Sequence, residues 1–378
     1  MSLLDDRLAI LRGPVPAKGH DARTLAALTT NPGCNRRALL DAAGVDKDAI
    51  AVHLGKPRPL AKSSIAMRSG ATFEQQVKAD GCAELLRLLR DILDLPLPEA
   101  AHTDLAVVGT QDASHQIRYA HTRNAVLEAA RSTSPARTLL DHPILQLTVA
   151  GAPVYLEPDV VAFQIDGVFH IIEIKSFAIL DDQASPVKVA AAVTQGAAYI
   201  LALRELLEKE GINGDKVSHD IILVTPRNFT RQPTAKIVDA RKKIAALTRQ
   251  LDRLTRIEPL LDELPAHTTF DLALDKDDRP TRDPKELTTA LQTTTTRYIP
   301  ACRYFCDLAY VCRSEARDDG LIDVLGSDIC DDLGGVDHIS TALSLADGTR
   351  EPAPDQTDLA LALQHAHAVR NQLLQESA

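Results

Sequence analysis

The sequence predicts an α/β protein, and three observations carry that prediction. Runs of β-forming residues at 144–150 (ILQLTVA), 154–163 (VYLEPDVVAF) and 168–174 (VFHIIEI) follow one another across the Gly-containing turns GAP and DG, so they should pair as an antiparallel meander. An Ala-rich stretch from about Val187 to Lys209 reads as a helix. A further strand, DIILVTP, follows at 220–226. With the leucine-rich helical stretch that runs on from about Phe73 through CAELLRLLRDIL, the order is helix, three strands, helix, strand.

The flanking segments are organised differently. Residues 21–62 read as helical and turn-rich, broken by NPG at 31–33 and KPRP at 56–59. A long basic helix is expected at about Thr234 to Leu261, then a polar loop region through about Asp283. Beyond about Arg317 the chain is rich in Asp and Gly until an amphipathic stretch, TDLALALQHAHAVRNQLL, with an N-cap signal at Thr357 or Asp358. The expected division is a helical segment at 1–62, a core at 63–230, the basic helix and polar loop at 231–290, a cysteine segment at 291–316 and an acidic tail at 317–378. A chain of 378 residues suits two domains or one elaborated domain.

Composition narrows the function. Hydrophobic residues at 45% and charged residues at 25% exclude a disordered or coiled-coil chain. Aromatics are only 3%, so a base-stacking sheet is not expected and any nucleic-acid contact should rest on phosphates. The start, MSLLDDRLAIL, lacks the basic residues and long apolar run of a secretory signal, and no later stretch reaches the ~18 apolar residues of a spanning helix. A cytoplasmic protein with no membrane partner is expected. The net charge of -10 is unevenly placed: Glu315–Ala378 holds 13 acidic residues and three arginines, which leaves the rest of the chain neutral. Within that neutral part, nine basic residues between Arg227 and Arg256, among them Arg227, Arg231, Lys236, Arg241, Lys242 and Lys243, meet only two acidic ones. Such a stretch reads as a phosphate-tracking surface or as a solvated helix face, beside a tail that could serve a protein partner.

The chemistry concentrates in EPDVVAFQIDGVFHIIEIKSF. Asp159 lies on one strand of an expected hairpin, and Glu173 and Lys175, two apart on the next, point to one face. Two carboxylates on an apolar scaffold suit Mg²⁺ or Mn²⁺, with the Ile174 carbonyl as a further ligand. Lys175 would hold or deprotonate an attacking water, its pKa lowered beside the metal. Gln195 and Tyr199, four apart on the next helix, could position the lysine or the scissile strand. Glu74, in RSGATFEQQV, is a candidate further metal ligand or water-bridged outer carboxylate. The reaction this set suits is phosphodiester hydrolysis.

In order and spacing, GATFE at 70–74, PD at 158–159, EIK at 173–175 and QGAAY at 195–199 resemble the successive motifs of the PD-(D/E)xK nucleases of the RecB type, over roughly residues 30–314. The resemblance implies a restriction-endonuclease-like core, a mixed sheet flanked by helices. It also implies metal-dependent DNA cleavage, often exonucleolytic and on single-stranded ends. Many relatives carry His at the first motif, where Glu74 stands here.

Six cysteines in a reducing compartment point to a metal site before a disulfide framework. Cys302, Cys306 and Cys312 crowd into CRYFCDLAYVC and could share one soft metal centre, with Cys34 or Cys330 as fourth ligand. The pattern is similar to the iron-sulfur branch of the same nucleases, including CRISPR-associated adaptation nucleases and AddB. That resemblance implies a structural 4Fe-4S cluster on Cys34, Cys302, Cys306 and Cys312. A four-thiolate zinc site and unligated thiols stay open, and Cys82 reads as core. Two other classes of function also stay open. One is a DNA-binding or scaffold subunit that joins a helicase or defence complex through the acidic tail; the other is hydrolysis of RNA or a nucleotide.

Overall fold

The computed structural model describes residues 3–59, 64–93, 101–106, 114–131, 138–150, 152–165, 168–177, 186–228 and 230–376. Asp166 and Gly167 of the DG turn, and Gly151 of the GAP turn, lie outside them. The chain divides into two compact units, Met1–Val15 with Gly33–Pro59 and Glu263–Ala378, and Pro16–Pro32 with Leu60–Asp262.

The second unit is mixed α/β. Its strands are β1 (Ala101–Asp104), β2 (Thr138–Asp141), β3 (Leu145–Val149), β4 (Ala152–Leu156), β5 (Val160–Ile165), β6 (Val168–Ile174), β7 (Val217–Pro226) and β8 (Pro233–Asp239). Six of them form one sheet in the order β1-β2-β5-β6-β7-β8, and β3 pairs with β4 alone. The expected three-strand meander is thus corrected. The run at 154–163 breaks at Glu157–Asp159, where Pro158 has no N–H for a ladder, and its two halves enter different sheets. Strands β5 and β6 do form the antiparallel hairpin. The pairs β1/β2 and β6/β7 are parallel, bridged by helices α6 (His115–Arg131) and α7 (Pro186–Lys209), as parallel neighbours require.

Helix α5 (Ser64–Leu93) covers the sheet with Phe73, Val77, Leu85 and Leu89, packed with Val160, Ile172, Ile222 and Val224. Each buried side chain of this kind contributes about 1.5–3 kcal/mol. The helix is interrupted after Lys78, where Ala79 turns extended and Asp80, Gly81 and Cys82 take left-handed conformations. Helix α7 lies close on the sheet because Gly196 leaves room: a Cβ there would overlap Ile221. Helices α2 (Ala22–Thr30) and α8 (Arg241–Leu254) pack on α7. The expected helix from Thr234 is corrected, because residues 233–239 are the edge strand β8, with Pro233 as its first residue, and the helix starts at Arg241.

The first unit is helical: α1 (Leu3–Arg12), α3 (Asn35–Ala43), α4 (Lys47–His53), α10 (Pro284–Gln292), α11 (Cys302–Phe305), α12 (Ala309–Asp318), α13 (Ser327–Asp332), α14 (Ile339–Ala346) and α15 (Thr357–Glu376), with α9 (Glu258–Asp262) closing the other unit. The acidic segment is folded. Ile322, Leu333, Val336, Leu345 and Ala360 form a small core of their own. Among the described residues, no helix is long and apolar enough to cross a membrane.

Candidate functional site

Strand direction collects the chemistry at one end of the six-stranded sheet. Strands β1, β2, β6 and β7 end there and β5 begins there, so Asp104, Asp141, Asp159, Glu173 and Arg227 arrive together. Asp141 is opposite Val160 in the ladder, and the Lys175 N–H, just past β6, donates to the Val224 carbonyl.

Asp159 is gripped on several sides. Its Oδ2 accepts the Ile174 N–H at 2.7 Å. Its carbonyl accepts from Lys78 Nζ at 3.1 Å and from the His142 N–H at 3.3 Å. The Tyr199 hydroxyl donates to the Glu157 carbonyl at 3.1 Å, two residues ahead, and accepts from Gln195 Nε2 at 2.6 Å. Tyr199 is 1% exposed. Gln195 and Tyr199 therefore fix the backbone that presents Asp159.

Glu173 is fully buried, and its Oε1 accepts no hydrogen bond. Lys175 Nζ stands 2.7 Å from Glu173 Oε2 and 3.7 Å from Asp159 Oδ2. Burial, with Asp159 adding to it, pushes the Glu173 carboxyl well above the ordinary carboxylate range, against the opposing pull of Lys175. Burial opposes the charge on Lys175, yet Glu173 and Asp159 outweigh it and raise its pKa. Two carboxylates beside an ammonium hold its proton; the lowering expected from the sequence is that of a lysine next to a bound metal ion.

Glu74 sits in a neighbouring ion network that sequence reasoning missed. Its Oε1 lies 2.5 Å from Lys78 Nζ and 3.3 Å from His142 Nε2. Lys78 also meets Asp141 Oδ1 at 2.7 Å, and His142 Nδ1 lies 3.0 Å from the same oxygen. The hydrogen bond from His142, then Lys78, holds Glu74 down at about 2. Bonds to Asp141 and Glu74 push His142 up to about 10. Burial works against the Asp141 charge, but His142 and Lys78 hold its pKa low. His142 adopts φ +48°, the sparsely populated left-handed region. The only sequence signal for this network was the i,i+4 spacing of Glu74 and Lys78.

The six basic residues do not form one patch. Arg227 and Arg231 flank the β7–β8 turn at the carboxylate end of the sheet. Lys236 is midway along β8, and Arg241, Lys242 and Lys243 open α8 at the far end, about 20 Å along six strand steps. Arg241 is committed to Asp239 through its Nε and Nη2, the latter at 2.6 Å.

The helical unit brings Cys34, Cys302, Cys306 and Cys312 into one neighbourhood. Thr296 Oγ1 lies 3.8 Å from Cys34 Sγ and donates to Cys312 Sγ at 3.6 Å. Cys302 and Cys306 bracket the single turn α11, closed by the Cys306 N–H on the Cys302 carbonyl at 2.8 Å, which faces i and i+4 the same way. Burial, then Cys312, pushes Cys306 up to about 12, and burial pushes Cys312 up to about 11, with Cys34 also raising it. Arg36 is buried and donates to Cys312 Sγ at 3.3 Å, Glu315 at 2.6 Å, Thr294 at 2.9 Å and the Leu291 carbonyl at 3.0 Å. Buried Arg36, Arg37 and Lys47 gather around the cysteines, with Asp41, Glu315 and Asp307 among their acidic neighbours, and Arg37 and Lys47 lie within electrostatic reach of Cys306. Cys330 has Asp323, Arg297 and Asp331 as its charged neighbours and stands apart from the four. Cys82, at the interruption within α5, is fully buried in the core.

No family model matches this chain, and no curated protein matches it. Among solved structures, one described as the crystal structure of SSO0001 is similar over 45% of this chain and 84% of its own, at 12% identity and a TM-score of 0.19, a value that lends no argument.

Proposed function

We propose that this protein is a divalent-metal-dependent deoxyribonuclease with a structural 4Fe-4S centre. The observation that carries the proposal is the Glu173 carboxylate, fully buried with one oxygen accepting no hydrogen bond, facing Asp159 and Lys175 at the end of a sheet. A buried carboxylate oxygen left without a donor is costly unless a further partner completes it, and Lys175 reaches only the other oxygen. Asp159, Glu173 and the Ile174 carbonyl would hold Mg²⁺ or Mn²⁺. Such an ion supplies Lewis-acid stabilisation of a phosphate oxygen and lowers the pKa of a bound water.

The rest is the work of the chain itself. Ile174, Lys78, His142 and Tyr199 hold the Asp159 segment rigid before any substrate arrives, the preorganisation that electrostatic catalysis needs. Lys175 would donate to a phosphate oxygen, orient the attacking water or take its proton once a cation shares the two carboxylates. Glu74, committed to Lys78 and His142, acts as an outer carboxylate. Arg227 and Arg231 lie where an incoming phosphate backbone would pass, whereas Arg241, Lys242 and Lys243 do not.

Cys34, Cys302, Cys306 and Cys312 would hold the cluster, whose net negative charge the surrounding Arg36, Arg37 and Lys47 suit. Preference for a single-stranded end follows from the family resemblance, and the roles it suggests are DNA repair, CRISPR adaptation or phage defence in the cytoplasm. The test uses anaerobically purified protein and end-labelled single- and double-stranded DNA with Mn²⁺ or Mg²⁺. Wild type should cleave, and Asp159→Asn should not. Absence of cleavage by cluster-loaded wild type on every DNA would instead favour a scaffold subunit that needs a helicase or defence-complex partner.

A further inference from the structure

Helix α12 carries Cys312 on a buried face and presents a second, more exposed face. Val311, Cys312 and Ala316 are buried. Tyr310, Arg313, Ser314 and Arg317 recur at the i, i+3, i+4, i+7 spacing of a single face. That face, with Asp318 and with Gly55, Lys56 and Pro57 after α4, lines a pocket of about 560 Å³. The volume is that of a small-ligand site and far exceeds one phosphate.

The charge of the pocket is unusual. Arg313 and Arg317 are four apart on one helix face, a like-charge pair that destabilises a helix by about 0.2–0.5 kcal/mol. Lys56 adds a third cation, and Asp318 is the only carboxylate in the lining. Among the described residues, no ion pair joins Lys56, Arg313 or Arg317 to a carboxylate, and nearby Glu315 is taken by Arg36. An anion in the pocket would relieve that repulsion. Two guanidinium forks and an ammonium suit phosphate oxygens, and the Tyr310 ring offers a face for one base.

We propose that this pocket binds a nucleotide unit through its phosphate, with Lys56, Arg313 and Arg317 on the phosphate oxygens and Tyr310 beside the base. The shared chemistry is a nucleoside phosphate, either free or within a single strand. The inference does not rest on the carboxylate site in the other unit, because binding is read without turnover.

The experiment is calorimetry on full-length, cluster-loaded protein in EDTA, with thymidine 5′-monophosphate and a ten-nucleotide oligothymidylate as probes. R313A/R317A should weaken at least one probe about tenfold or more while keeping wild-type visible absorption and thermal stability. For the oligonucleotide it should also reduce the slope of log affinity against log salt by about 1.4, two phosphate contacts at about 0.7 each. K56A, on a different segment, should weaken the same probe. Loss for the mononucleotide identifies a free nucleotide as ligand, and loss for the oligonucleotide alone identifies a strand. Wild type that binds neither probe, or variants that bind both as wild type does, would overturn the proposal.

Discussion

The Ile174 N–H donates to Asp159 Oδ2 at 2.7 Å, so the strand that carries Glu173 and Lys175 also aims the aspartate that precedes its hairpin partner. The side chain is oriented by the backbone between the other two members of the set.

Asp159→Asn keeps an oxygen for the Ile174 N–H while removing the charge. It should fold with unchanged thermal stability and lose about 10²–10³-fold in cleavage rate, the scale on which a positioned electrostatic group acts. Stopped assays of labelled DNA, with a melting curve beside them, check it.

Burial raises the Glu173 pKa, so wherever that acid is protonated, binding a divalent cation releases its proton. Mn²⁺ affinity should rise with pH from the ordinary carboxylate value upward until Glu173 is ionised, and Glu173→Gln should flatten and weaken it. Titration of Mn²⁺ monitored by electron paramagnetic resonance at several pH values measures the slope.

The network around His142 sets a pH window for stability. His142 is raised from about 6.5 to about 10, so its contribution is complete below pH 6.5 and lost as pH rises through about 10. Glu74 is lowered to about 2, so its contribution is present above pH 4.5 and lost as pH falls through about 2. Urea unfolding in EDTA should show wild type losing stability between pH 6.5 and 10 relative to His142→Ala.

How far this was legible from the sequence follows from what fixes each feature. Period-two alternation and the spacing of Glu173 and Lys175 are local, and the β5–β6 hairpin, α7 and β7 stand close to where they were read. The break at Pro158 was visible as a residue, but which sheet each half joins is a long-range matter. Strands β1 and β2 are four residues each, too short for periodicity to announce. The His142 network depends on β2 lying antiparallel to β5, so nothing local could place His142 beside Glu74. The β8 strand was hidden because its one lysine, Lys236, and the basic residues that open α8 read together as a single solvated helix face.

Gly196 illustrates the same dependence on packing. Gly196→Ala adds a methyl group against Ile221 beneath α7 and should cost about 1–3 kcal/mol. Because α7 also carries Gln195 and Tyr199, cleavage should fall with it, which chemical denaturation and activity assays together resolve.

The cysteine assignment makes a selective forecast. Serine at Cys34, Cys306 or Cys312 should each abolish the visible absorption of anaerobically purified protein and lower its melting temperature, whereas Cys82→Ser and Cys330→Ser should keep the colour. A colourless wild type with one zinc per chain would replace the cluster with a four-thiolate zinc site.

Charge reversal at Arg227 and Arg231 should weaken DNA binding and its salt dependence more than the triple reversal of Arg241, Lys242 and Lys243. Filter binding of the Asp159→Asn protein at several salt concentrations ranks the two.

The most direct test of the central claim is the cleavage of end-labelled single-stranded DNA by cluster-loaded wild type, Asp159→Asn and Lys175→Ala in Mn²⁺, run side by side. Cleavage by wild type that both substitutions abolish is the expected result. Cleavage that survives both, or its absence from a wild type that binds Mn²⁺, would contradict a nuclease centred on Asp159, Glu173 and Lys175.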